Sequence, residues 1–121
     1  MADVEAALDA CSVDPGVAAS VVGVAGTITT IAAGTLGLAA YDRDLIHGRA
    51  LAVEDVHRTI EALVGMTVDD RRNLGYVHPG RVDVIDAGAL ILSRVLRRTA
   101  VPAITVAETD ILDGIAWSLV A

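Results

Sequence analysis

The chain has no lysine, no phenylalanine, one cysteine, one tryptophan and two tyrosines in 121 residues. Each shortage removes a class of function. Without lysine there is no Gly-x-x-x-x-Gly-Lys loop, which excludes a Walker-type phosphate site. All nine basic residues are arginine and the net charge is −7, so the chain lacks the electrostatic footprint of a nucleic-acid binder. Three aromatic rings also offer too few stacking platforms. Cys11 by itself cannot close an internal disulfide and fits a reducing, cytoplasmic setting. Hydrophobic residues make up 54%, yet Gly, Thr, Asp or Arg interrupts each apolar run before the ~18 residues that span a bilayer. A soluble chain with no membrane contact is expected. The acidic start, Met1 to Glu5, lacks the positive charge of an export signal. His47, His57 and His78 share no metal-ligand spacing, so no metal site is expected from them. No Gly-x-Ser-x-Gly nucleophile turn occurs either.

What is present centres on Ser20 to Ala33. A Val-rich run breaks at Gly23 and Gly26 and resumes with helix-compatible residues, the pattern of strand, tight turn and helix. Such a turn exposes the first amides of the helix at the positive end of its macrodipole, where an anion can be held without a basic side chain. Thr27, Thr29 and Thr30 add hydroxyls there. Spacing alone favours a plain strand-to-helix turn whose glycines allow close packing.

The remaining elements are read from periodicity and caps. Ala2 to Ala10 is helical, with Val4, Ala7, Leu8 and Cys11 on one face, and ends before Asp14-Pro15-Gly16. Gly37 closes the helix after the turn, Tyr41 to Asp44 is a polar connection, and Leu45 to Ala52 reads as an extended loop. Val53, Val56, Ile60 and Leu63 mark an amphipathic helix, with Glu54 and Arg58 as an (i, i+4) pair and His57 solvated on the polar face. Thr67 caps a short helix, with Asp70 three residues on, running to about Asn73. A longer helix from about Val82 to Arg98 carries one narrow polar stripe, Asp83, Asp86, Ser93, Arg94 and Arg97, and is expected to be buried on several sides. Pro102 opens a strand, Ala103 to Ala107. Asp110, with Asp113, caps a final helix that should turn Ile111, Ile115 and Leu119 inward.

Two strand-turn-helix units suggest an α/β fold with few parallel strands joined by a right-handed crossover and flanked by helices. Two strands do not make a stable sheet, so residues 1–121 read as a single partial domain. An unpaired strand edge and an incompletely covered helix predict self-association, as a dimer or higher oligomer. Six arginines lie between Arg71 and Arg98, and solvated helix faces explain them better than a polyanion surface.

Four ordered segments add something more specific. They are Gly23-Val24-Ala25-Gly26-Thr27-Ile28-Thr29-Thr30, then Met66-Thr67 with Arg71, then His78-Pro79-Gly80-Arg81-Val82-Asp83-Val84-Ile85 with Gly88, and Glu108-Thr109-Asp110-Ile111-Leu112-Asp113-Gly114-Ile115. Together, over Val21 to Ala121, they resemble the exopolyphosphatase and guanosine-pentaphosphate phosphatase (Ppx/GppA) family of actin-like, ribonuclease H-like phosphotransferases. The resemblance implies the C-terminal part of the second ribonuclease H-like (actin-like ATPase) domain of such an enzyme. It implies a phosphohydrolase acting, with magnesium, on terminal phosphoanhydrides of inorganic polyphosphate or guanosine pentaphosphate. Gly23, Gly26 and Thr27 match the family's third glycine turn, beside the phosphate or nucleotide cleft, with Thr29 and Arg81 as further phosphate-binding candidates. Arg81 and Asp83 match its Arg-x-Asp pair, for which a buried ion pair is favoured over phosphate contact. Arg71 is a further candidate, while Asp110 and Asp113 read as caps rather than metal ligands. The family's catalytic glutamate and its other glycine turns have no counterpart here, so no residue is assigned a catalytic role. The chain by itself is expected to be inactive, to bind no magnesium alone, and to pair with the missing N-terminal half or with itself. A non-catalytic phosphate-ligand-binding or protein-interaction module is the alternative.

Overall fold

The computed structural model describes residues 2–120. Helix α1, Ala2–Ala10, buries none of its residues. It is tied instead to the far end of the chain: Arg98 reaches Glu5 at 2.5 Å and Asp9 at 2.9 Å. Val4 and Leu8 are half-buried, but Cys11 is exposed rather than on a packed face.

Strand β1, Val22–Gly23, leads through Val24 and Ala25 into α2, Gly26–Thr35. Five consecutive α2 residues, Thr29 to Ala33, are buried, which makes this helix the centre of the core. Gly37 ends the segment with φ of 69°, a left-handed conformation that glycine adopts without a Cβ penalty. Next come α3, Arg43–Ile46, capped by the Asp42 carboxylate, and strand β2, Ala50–Ala52. Helices α4, Val53–Gly65, and α5, Val68–Arg72, follow, and α5 carries the expected Thr67/Asp70 capping box. Helix α6, Ile85–Arg97, strand β3, Ala103–Val106, and helix α7, Ile111–Ser118, complete the order.

The sheet runs β1-β3-β2, with β3 parallel to β1 and antiparallel to β2. Parallel pairing of β1 with β3 agrees with the sequence reading, whereas β2 replaces the extended loop expected over Leu45 to Ala52. Ala-Leu-Ala offers one apolar side chain and no alternation to detect, and its partner lies far along the chain. Successive strand residues point to opposite faces. Leu51, Ile104 and Val106 therefore face the core formed by α2, α4 and α6, while Val22, Ala50, Ala52, Ala103 and Thr105 face outward.

Three helical expectations change. Helix α6 buries a single face, Ile85, Ala89, Ser93 and Leu96, with Ile91 exposed, so it is amphipathic rather than enclosed. Its polar stripe is broken because Ser93 belongs to the packed face. His57 of α4 is half-buried, its Nδ1 3.3 Å from the Ser93 hydroxyl, and not a solvated side chain. Helix α7 keeps the predicted Asp110/Asp113 cap but buries nothing: Ile111, Ile115 and Leu119 are 77%, 52% and 80% exposed. Among the described residues no helix is long and apolar enough to cross a membrane.

Candidate anion-binding site

The turn between β1 and α2 is built by Ala25, whose φ of 76° and ψ of 172° lie in a region normally left to glycine. A conformation of that kind costs about 1–3 kcal/mol and persists only where the surroundings enforce it. Ala25 occupies the N-cap position and has no side-chain acceptor to offer. The first helical bond is Thr29 N–H to the Ala25 carbonyl at 3.1 Å. Among the described residues, the amides of Gly26, Thr27 and Ile28 find no acceptor.

Against this helix end lies a cation. A methyl group added at Gly26 would fall inside the Arg81 guanidinium, so only glycine admits the two together. Arg81 comes from the helical turn Pro79–Arg81, which is held by the His78 imidazole accepting from Gly80 N–H at 3.0 Å. No ion pair joins Arg81 to Asp83 or to any other carboxylate among the described residues, which corrects the expected structural pair. Both residues are exposed. The buried arginine is Arg71, at 5% exposure, and its guanidinium faces backbone carbonyls rather than the cleft.

A cleft of about 810 Å³ opens beside this pair. Gly26, Thr29, Thr30, Tyr41, Tyr76, His78 and Arg81 are among its lining residues, and no carboxylate of the described residues lines it. Thr29 and Thr30 are each 3% exposed. The Thr29 hydroxyl donates to the Gly26 carbonyl at 3.3 Å. Tyr76 packs against Gly34, where a side chain would collide with its hydroxyl. Tyr41 donates its phenol to Glu108 at 2.5 Å, and Glu108 N–H donates to His47 Nδ1 at 3.0 Å. Burial first, and then the Glu108 carboxylate, push the Tyr41 phenol above its usual pKa; burial does the same for Tyr76.

Of the residues singled out in the sequence, Gly26, Thr29 and Arg81 meet at the cleft. Gly23 lies behind it, packed under Ile28, and the Thr27 side chain packs on Gly88 of α6. Thr30, whose hydroxyl the sequence reading placed at the turn, also lines the cleft, whereas Tyr41, Tyr76 and His78 were not assigned to a site. Thr30 stands within the motif; the two tyrosines reach the cleft only through folding. Among the described residues no three His, Cys, Asp or Glu side chains converge to hold a metal ion.

Residues 2–121 match the model of the Ppx/GppA phosphatase family. The chain belongs to that family. It is 45% identical over 102 residues to exopolyphosphatase 2 of Mycobacterium tuberculosis, covering 81% of this chain and 32% of the relative. A solved exopolyphosphatase-like protein superposes with a TM-score of 0.93 at 35% identity, over 98% of this chain and 40% of that one. The Ppx/GppA member from Aquifex aeolicus gives 0.85 at 26% identity, over 98% and 38%. The chain thus spans about a third of the length of its curated relatives. The α/β fold is that of part of a Ppx/GppA structure, as the resemblance implied.

Proposed function

We propose that this Ppx/GppA chain supplies a phosphate-binding wall to an exopolyphosphatase-like hydrolase, with Gly26, Thr27, Thr29 and Arg81 as contacts and Gly23 shaping the turn behind them. One observation carries the reading: an unpaired guanidinium sits at the positive end of α2. Cations are unfavourable there, and an anion relieves both charges at once. The amides and guanidinium together suit phosphoryl oxygens, which accept charge-assisted bonds from each. The ligand class is a terminal phosphate chain, inorganic polyphosphate or guanosine pentaphosphate, with magnesium supplied alongside it in the complete enzyme.

Phosphoryl transfer needs donors and charge around the whole moving group. This wall offers donors on one side and, among the described residues, no carboxylate in the cleft, so the chain alone should release no measurable phosphate from polyphosphate with magnesium; steady turnover by the purified chain would refute that. Calorimetric titration with sodium tripolyphosphate should show binding weakened about tenfold by Arg81→Gln, the scale of one charge-assisted hydrogen bond. Equal affinity in both proteins would remove Arg81 from the site. Exposure of α7 favours a second reading beside the first, in which the chain also pairs with the remainder of such an enzyme or with another copy of itself.

A further inference from the structure

Arg71 is the one charged side chain buried among the described residues, and it does not line the cleft. Its planar fork makes three bonds to backbone carbonyls. Nε donates to the Leu63 carbonyl and Nη2 to the Met66 carbonyl, both at 2.9 Å, while Nη1 donates to the Val82 carbonyl at 3.4 Å. The Asp86 carboxylate stands 3.6 Å from Nη2. Leu63 and Met66 mark the C-terminal end of α4, where carbonyls lack helical partners and a cation is favoured. Val82 directly follows Arg81. Between Asn73 and Val84 the chain has turns and the helical turn Pro79–Arg81, fastened by bonds such as Arg81 N–H to His78 O at 2.8 Å and Val84 N–H to Arg81 O at 3.0 Å. Gly75 to Arg81 of that segment line the cleft together with Gly26 and Thr30.

We infer that Arg71 is a positioning residue, a buried latch that ties the end of α4 to the Val82 carbonyl and thereby holds Arg81 against the first turn of α2. The inference rests on the anion-binding reading for its consequence and on the latch geometry for its cause. Lysine keeps the charge but not the fork, so it cannot satisfy carbonyls on both sides of the wall.

Four proteins separate the alternatives: wild type, Arg71→Lys, Arg81→Gln and the double variant, each titrated with tripolyphosphate and followed by amide exchange. With Arg81 present, Arg71→Lys should weaken binding about tenfold, the scale of a lost charge-assisted bond. In the Arg81→Gln background it should weaken binding no further, because the latch acts through Arg81. The Arg81 and Val84 amides should exchange about tenfold faster, while those of Ile31 and Ala32 keep their protection, the signature of local rather than global opening. Equal weakening in both backgrounds would reduce Arg71 to a general stabiliser and overturn the inference. Unchanged exchange at Arg81 and Val84 overturns the latch whether or not ligand binds, whereas a wild-type chain indifferent to tripolyphosphate overturns the anion reading instead. Should Arg71→Lys fail to fold, Asp86→Asn leaves the guanidinium in place and removes its carboxylate. The same pattern, at about threefold, is then expected.

Discussion

Gly26 and Gly75 both lack room for a methyl group, and the difference between their neighbours predicts different outcomes. At Gly26 the obstacle is the end of the Arg81 side chain, which can swing away; at Gly75 it is the Ala39 carbonyl, which cannot. Gly26→Ala should therefore leave the melting temperature nearly unchanged but weaken tripolyphosphate binding about tenfold by displacing the guanidinium. Gly75→Ala should cost about 1–3 kcal/mol of stability in a urea titration, the range for overpacking. Tyr41 and Tyr76 yield a pH prediction. Both phenols have raised pKa values in the folded chain, so their stabilisation is complete below the unfolded value of about 10 and is lost as pH climbs through the folded one. Urea midpoints should fall above about pH 10, and Tyr41→Phe with Tyr76→Phe should flatten that fall. At this scale the sequence showed the glycine turn and its threonines, because they are contiguous. It concealed the approach of Arg81 to Gly26, since the two are distant in the chain.

Helices with strong periodicity were legible element by element. Val56, Ile60 and Leu63 fall on the buried face of α4, and Glu54 pairs with Arg58 at 3.3 Å as its spacing implied. Capping boxes at Thr67 and Asp110 were legible too, because their chemistry is local. The burial of α7 was not, since apolar content states what a helix can cover and not what stands beside it. With none of its described residues buried, α7 depends on its cap. Asp110→Ala should remove about 1 kcal/mol of helix stability and show as lost ellipticity, with little change in the main unfolding transition. A loss of cooperative folding instead would mean that α7 is docked more firmly than its exposure indicates. Strand β2 was invisible for a different reason: three residues around one leucine carry no period.

Across the whole molecule, apolar surface is unevenly distributed. One side of the sheet is covered by α2, α4 and α6, while the other side and most of α7 stand open, including Trp117 at 73% exposure. Exposed apolar patches of this kind mark interaction surfaces. The chain should scatter light as a dimer or larger species at high concentration. Substituting Ile115→Gln together with Trp117→Gln should shift it toward monomer without lowering its melting temperature. A wild-type chain that stays monomeric would set aside the association. The sequence showed two strands where the sheet has three, and its mixed pairing followed only from where β2 comes to lie.

The middle strand of the sheet is also the last to leave a ribosome. Val22 meets Thr105 and Leu51 waits for Ile104, so neither outer strand has this neighbour until β3 itself has emerged. Long-separation pairing of this sort is slow. During synthesis the helices must hold their greasy faces together without the β-layer they later cover, and a nascent chain stalled before Ala103 would be a helical cluster with no sheet to close it.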